Sequence, residues 1–428
     1  MDRTNNVDGI HMHLENKKVS RNFFWMLWLM YAVVYMTKNC YSAAMASIVH
    51  EGVLTKSQTG FISAAFYFVY APLQIVGGVF ADKYNPERMI KIGLIGGGLA
   101  NLVIFLNQNY YVMLFAWIFN AIIQFALWPS VFKIISSQLE TEYKVKGVYY
   151  ITFSSTFGLL LAYVVAAIVT KWQCNFALSA GSLFLFALIF HVMSNRVERY
   201  MVPDLNPKKK QDKSDVKSEI SSWKLFLFSG FLLMVLLTAL RTIVSNGIQT
   251  LSSTMLMESY EHISPAIGNM LNTLIIISGL LGVMLVNQFL YPRLVRSEVG
   301  ATLLLLVASI VPVAVLTRLG NISPILMLVA LCVAAAILNG SGFMMSRCSA
   351  MFAKYGKNGL ASGINNSSAA IALMIQSYGV LSLADHQGWK SVVWLWMGLV
   401  MVSGICAAIA FPLWSRFKQG NIQFGSRK

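Results

Sequence analysis

The sequence predicts an all-α membrane protein with twelve transmembrane helices in two six-helix bundles, and three observations predict it. Hydrophobic residues make up 57% of the 428 and charged residues only 12%, with a mean hydropathy of +0.62. That composition is too apolar to coat a water-soluble globule. Apolar runs of about 20 residues, the length that crosses a ~30 Å hydrocarbon core, recur along the whole chain. One long polar stretch, 194–223, divides those runs six and six.

A polar N-terminal tail, 1–22, comes first, and the apolar run after it is too long for a signal-peptide core, so it is expected to stay in the mature chain. Runs near 23–48, 57–81, 90–106, 110–136, 147–169 and 175–193 form the first bundle, 23–193. The central linker, 194–223, reads NRVERYMVPDLNPKKKQDKSDVKSEISSW. Its Lys208, Lys209 and Lys210 suit either a solvated charge run or a contact with anionic lipid heads. Runs near 224–256, 264–290, 298–318, 324–349, 358–384 and 390–415 form the second bundle, 224–415, and a basic tail, 416–428, closes the chain.

Orientation follows from the 33 Lys and Arg. Only Lys56, Lys171, Arg318 and Lys390 fall on one side of the expected topology, Lys38 and Arg241 lie inside spans, and all the others collect on the opposite side with both termini. The positive-inside rule makes that side cytoplasmic, as expected of a multi-pass protein of an inner membrane. The net charge of +16 is therefore topogenic, and its dispersal over short loops excludes a nucleic-acid partner.

The chemistry starts from the two cations inside spans. A charge in hydrocarbon costs roughly 2.5–3.5 kcal/mol even on the lenient insertion scale, so it survives where it meets a watery cavity or a counter-ion. No Asp or Glu lies mid-span to pair with Lys38 or Arg241, which points to an anionic substrate as the missing partner. Position links them: Lys38 follows Arg21 by 17 residues and Arg241 follows Lys224 by 17, so both would sit ~25 Å from a basic cytoplasmic anchor. Asn246 is among the amides that would face a sugar-like body near them. The absence of a buried carboxylate also argues against a proton-coupled carrier with an acidic proton site. No GxSxG, HExxH or Gly-rich phosphate loop is present, so no enzyme is expected. Cys40, Cys174, Cys332, Cys348 and Cys406 have neither metal-ligand nor redox spacing, so no metal or cofactor is expected either.

Several segments resemble a known family. GGVFADKYNPERM, between the second and third runs, is similar to the signature loop of the major facilitator superfamily, with Gly78, Asp82, Lys83 and Arg88 as a conformational latch. The matching loop of the second half, VNQFLYPRLVRSE, has Asn287 in place of the acid, so a one-sided latch is expected. YMTKNCYSAAMA, FNAIIQFALWPSVFK, NGIQTLSSTML and GLASGINNSS narrow the resemblance to the organophosphate:phosphate antiporters, the glycerol-phosphate and hexose-phosphate exchangers. The resemblance puts Lys38 at the family's substrate-binding arginine and assigns substrate contacts to Tyr35, Tyr70, Gln124 and Trp128. The family's second basic residue falls at Ser245, one helical turn after Arg241, and its histidine falls at Phe153.

The resemblance implies exchange of a small organophosphate for inorganic phosphate by alternating access, in a monomer surrounded by membrane lipids. Lys38 and Arg241 are expected to clamp one oxyanion, the lysine as a point charge and the arginine as a planar fork. Snorkelling or a bond to backbone carbonyls is the other role open to either cation. A carboxylate carrier and a transporter-like sugar-phosphate sensor remain alternatives.

Overall fold

The computed structural model describes residues 12–169, 171–203, 222–293, 295, 297–355 and 357–419. Strand β1 (Met12–Leu14) precedes α1 (Lys17–His50), α2 (Lys56–Lys83), α3 (Pro86–Leu106), α4 (Tyr110–Gln124), α5 (Leu127–Gln138), α6 (Thr141–Ile168) and α7 (Trp172–Glu198). After β2 (Met201–Pro203) come α8 (Ser222–Phe228), α9 (Phe231–Ser259), α10 (Pro265–Leu285), α11 (Tyr291–Arg293) and α12 (Glu298–Leu316). The chain ends with α13 (Pro324–Ala350), α14 (Asn358–Ile375), α15 (Leu381–Gln387) and α16 (Trp389–Lys418). Helix is the form in which a chain satisfies its own backbone in lipid. A wider π turn at Val286–Leu290 joins α10 to α11, and another at Gln376–Val380 joins α14 to α15.

Local sequence sets the helix starts. Asn85, Ser264 and Ser323 each accept a backbone N–H of the first turn, and each is followed by a proline, Pro86, Pro265 or Pro324, whose missing N–H would have no intrahelical partner there. Gly230 and Gly388 turn the chain into α9 and α16 with φ of 74° and 78°, which a side chain would strain.

Among the described residues, nine helices or continuous helix pairs are long and apolar enough to cross a membrane. The other three expected spans fall on α1, α2 and α6, which have 34, 28 and 28 residues.

The chain divides into two compact units. The first comprises Met1–Leu54 and Ala65–Gln211, and the second Thr55–Ala64 and Asp212–Lys428, so the opening turns of α2 group with the second unit. In the first unit α1 is central, packed along α6 and α7, while α3 packs on α4 and α7. Its core joins Phe23, Leu27, Met30 and Val34 of α1 to Leu127, Val131 and Ile135 of α5 and Leu183 and Phe190 of α7. In the second unit α9 packs on α10, α13, α14 and α16, and α12 on α13 and α16.

The N-terminal tail contains a structured segment that its polar composition hides. Met12–Leu14 pairs antiparallel with Met201–Pro203, His13 opposite Val202, and Leu14 is fully buried in the first unit's core. Within the expected linker, α7 runs on to Glu198, β2 follows, and 204–221 lie outside the described residues.

Candidate functional site

In the first unit, Lys38 stands half-buried on α1 within an aromatic cage. Its ammonium donates to the Tyr70 hydroxyl at 2.8 Å and lies 4.0 Å from the Tyr70 ring centroid, 5.3 Å from Tyr35 and 5.7 Å from Phe66. Rings attract a cation through their quadrupoles, and more strongly where water is excluded. Among the described residues, no carboxylate forms an ion pair with Lys38.

The cage continues as a chain of rings. Tyr70 stacks on Phe66 at 5.3 Å, Tyr31 meets Tyr35 at 5.3 Å, and Trp128 meets Tyr31 at 5.0 Å. Lys38, Tyr35, Tyr70 and Trp128 are thus brought together. Gly158 of α6 permits this arrangement, since a β-carbon there would lie 2.6 Å from the Tyr35 β-carbon. Phe66 was not singled out in the sequence, although it precedes Tyr70 by four residues and so shares its helix face.

Gln124 stands apart from this group. It is 1% exposed, donates to the Asn120 Oδ1 at 2.6 Å and packs against Gly97 of α3. Its bond to Asn120 stays within α4, and its Oε1 has no partner among the described residues.

In the second unit, Arg241 differs from an open cation. It is 9% exposed, its Nη1 donates to the Leu338 carbonyl at 3.0 Å and its Nη2 to the Thr242 hydroxyl at 3.0 Å. It bonds a backbone carbonyl here, linking α9 to α13. The run Asn339-Gly340-Ser341-Gly342 makes room for it, a signal the sequence carried. The Ser341 hydroxyl donates to the same Leu338 carbonyl at 2.7 Å. Nε has no partner among the described residues.

Polar groups border Arg241. Ser245, where the resemblance sets the family's second cation, donates to Asn339 Oδ1 at 3.0 Å, and Asn272 donates to the Gln249 carbonyl at 2.7 Å. Asn246 is half-buried and its carbonyl accepts from Thr250. This layer is neutral and rich in amides.

Gly78 and Asp82 lie on the last turns of α2, and the Asp82 side chain lies outside the described residues. Lys83 and Arg88 are exposed, and the Lys83 ammonium lies 5.7 Å from the Tyr84 ring. In the second half, polar groups gather around Asn287 and the start of α12. Arg347 donates to Asn287 Oδ1 at 3.0 Å and sits 4.8 Å from the Tyr291 ring. Tyr291 donates to Glu298 at 2.6 Å, and Glu298 also receives Lys418 at 3.1 Å and Trp414 at 3.3 Å. Glu298 itself opens α12. Burial, and then the bond to Glu298, pushes the Tyr291 phenol up to about 12.

Long apolar helices around a caged cation define a multi-pass helical membrane protein of the solute-carrier class. The chain belongs to the Major Facilitator Superfamily, whose model matches residues 27–377. It is 31% identical over 104 residues, 24% of each chain, to "Membrane sensor protein UhpC" of Escherichia coli (strain K12). It is 32% identical over 108 residues to "Probable hexose phosphate transport protein" of Chlamydia pneumoniae, covering 25% of this chain and 23% of that one. The chain spans about a quarter of the length of these relatives. In fold it is similar to a bacterial homologue of the human lysosomal transporter Spinster, in an inward-facing and occupied conformation. The TM-score is 0.75 at 14% identity, over 96% of this chain and 100% of that one. The protein is a member of a transporter family, not an enzyme.

Proposed function

We propose that this protein is a secondary carrier that moves a small organophosphate, of the sugar- or glycerol-phosphate type, in exchange for inorganic phosphate by alternating access. Lys38 carries the reading. An ammonium deep in a span, held by rings and one neutral hydroxyl, has no carboxylate partner among the described residues, and an incoming oxyanion would supply one. A bound anion would take donors from the ammonium, and Tyr35 and Trp128 offer ring faces to an organic body.

Within the second unit, Arg241 ties α9 to α13 at the Leu338 carbonyl, with only Nε lacking a partner among the described residues. The topology proposed for the carrier is an inner-membrane protein with both termini cytoplasmic, by the positive-inside distribution. The partial match to a membrane sensor favours one second reading, a receptor that binds the same sugar phosphate without moving it.

The test is uptake of labelled inorganic phosphate and of labelled hexose phosphate into phosphate-loaded proteoliposomes. Exchange by the wild type and its loss in Lys38→Ala support the carrier. Saturable hexose-phosphate binding to the purified protein without exchange selects the sensor. Neither binding nor exchange by folded protein would overturn both.

A further inference from the structure

The amides of the second unit are of two kinds. Asn272 Oδ1, like Arg241 Nε, has no partner among the described residues but is closed off from solvent. Asn246 and Gln249 on α9 and Asn339 on α13 are only half-buried. Among the described residues nothing bonds either end of the Asn246 or Gln249 side-chain amide, or the Asn339 Nδ2, and none of these atoms is sealed. They are open groups on the inside of a membrane protein.

Three helices hold them in place. The Ser245 hydroxyl donates to Asn339 Oδ1 at 3.0 Å, so Asn339 turns its Nδ2 the other way, into the space that a β-carbon on Gly279 of α10 would fill. Gln249 Nε2 lies 3.7 Å from that same point. Asn272 of α10 donates to the Gln249 carbonyl at 2.7 Å and fixes the backbone beneath that side chain. Asn246 precedes Gln249 by three residues and shares its face of α9. An unmet amide in hydrocarbon costs several kcal/mol, so this edge faces water rather than acyl chains.

The chemistry of the edge selects its ligand. From Thr242 to Met257, through the whole of α10, and from Pro324 to Ser346, no residue carries a charge. A hydroxyl both donates and accepts, so it meets both ends of an amide, whereas an oxyanion only accepts and would leave the amide oxygens unpaired. An amide-bearing solute offers both roles in one fixed plane, while a hydroxyl turns about its C–O bond to suit amides that come from two helices. We propose that Asn246, Gln249 and Asn339 form a hydroxyl-recognition site of the second unit that takes a polyol body, a sugar or a glycerol chain. A free sugar and the body of a phosphate ester share this chemistry; the second source rests on the carrier reading above and deepens it.

The test is equilibrium binding of labelled glucose, labelled glucose 6-phosphate and labelled inorganic phosphate to the full chain in lipid nanodiscs, free of sugar-headed detergents. Saturable binding of glucose identifies the free sugar as sufficient, and saturable binding of glucose 6-phosphate alone identifies the ester. In either case, removing one of the hydroxyls at C2, C3 or C4 from the competing ligand should weaken competition about three- to tenfold, the weight of one hydrogen bond. Asn246→Leu or Gln249→Leu should abolish that difference between parent and deoxy ligand, which a merely structural role would not do. Ser245→Ala, a small change that releases Asn339, should reduce the same difference and decides the matter if the leucine variants fail to fold. Deoxy ligands that compete as well as their parents, or a difference unchanged in folded variants, overturn the proposal. Binding of inorganic phosphate with neither sugar probe bound overturns this site while the Lys38 site stands. Binding of glucose without either phosphate overturns the carrier reading while this site stands, and binding of none of the three overturns both.

Discussion

The Arg241 guanidinium carbon lies 2.6 Å from the point a β-carbon on Gly342 would occupy, so the arginine's seat depends on the missing side chain of a residue one helix away. Gly342→Ala should displace the guanidinium from the Leu338 carbonyl and cost about 1–3 kcal/mol, the range for overpacking a filled interior. A control glycine separates this from a general effect of the substitution. Gly363→Ala, whose added carbon meets nothing within 4 Å, should be neutral or slightly stabilising, and thermal unfolding in detergent compares the two.

The Tyr70 hydroxyl takes up one donor of the Lys38 ammonium, a donor the proposed substrate would need. Tyr70→Phe keeps the ring and removes the acceptor 2.8 Å from Nζ, which should cost about 0.5–1.5 kcal/mol of stability without ligand. An anion would then satisfy a donor the protein leaves open. The thermal shift produced by saturating inorganic phosphate should therefore be larger in Tyr70→Phe than in the wild type, and absent in Lys38→Ala. A smaller shift in Tyr70→Phe would mean that the hydroxyl helps to hold the anion.

These two sites show what the sequence disclosed and what it withheld. Lys38 was legible because a charge in an apolar run is costly on any face of its helix, and Tyr35 and Tyr70 came with it through family spacing. For Arg241 the sequence left a clamp and a carbonyl bond both open, because the carbonyl it meets is that of Leu338, nearly a hundred residues away, and every residue has a carbonyl. The seat of Gln124 was hidden for a related reason: an amide suits a ligand or a neighbouring helix equally, and its packing on Gly97 is a tertiary contact with no sequence signal. The strand at Met12–Leu14 was hidden because three residues have no readable period, and its partner comes after the last helix of the same unit.

Within the second unit, Glu258 accepts Lys56 at 2.9 Å and the Trp389 indole at 2.8 Å. The first unit repeats half of this arrangement, with Trp172 donating to Glu51 at 2.9 Å. The Lys56 and Glu258 side chains are 16% and 23% exposed, so their pairing is only partly screened. A double-mutant cycle of Lys56→Met and Glu258→Gln should give a coupling of about 1 kcal/mol that shrinks between low and high salt. The Trp172→Phe variant should lose a comparable amount with little salt dependence, because an indole carries no charge.

Glu298 joins three side chains at the start of α12 and should be the most sensitive polar residue of its unit. Glu298→Gln keeps the shape but removes the charge that Tyr291, Trp414 and Lys418 all donate to, and hydrogen bonds to charged groups are worth about 1.5–3 kcal/mol each. Lys418→Met should cost less, since that side chain is 35% exposed and its charge is partly solvated. The phenol adds a pH signature. Its folded value of about 12 exceeds the ~10 of an unfolded tyrosine, so the folded state holds this proton more tightly. That contribution is complete below pH ~10 and is lost as the pH rises toward 12. Tyr291→Phe should therefore lose less stability than the wild type between pH 10 and 12, measured by unfolding across that window. An identical alkaline slope in both proteins would show that this proton is held no more tightly in the folded state than in the unfolded chain.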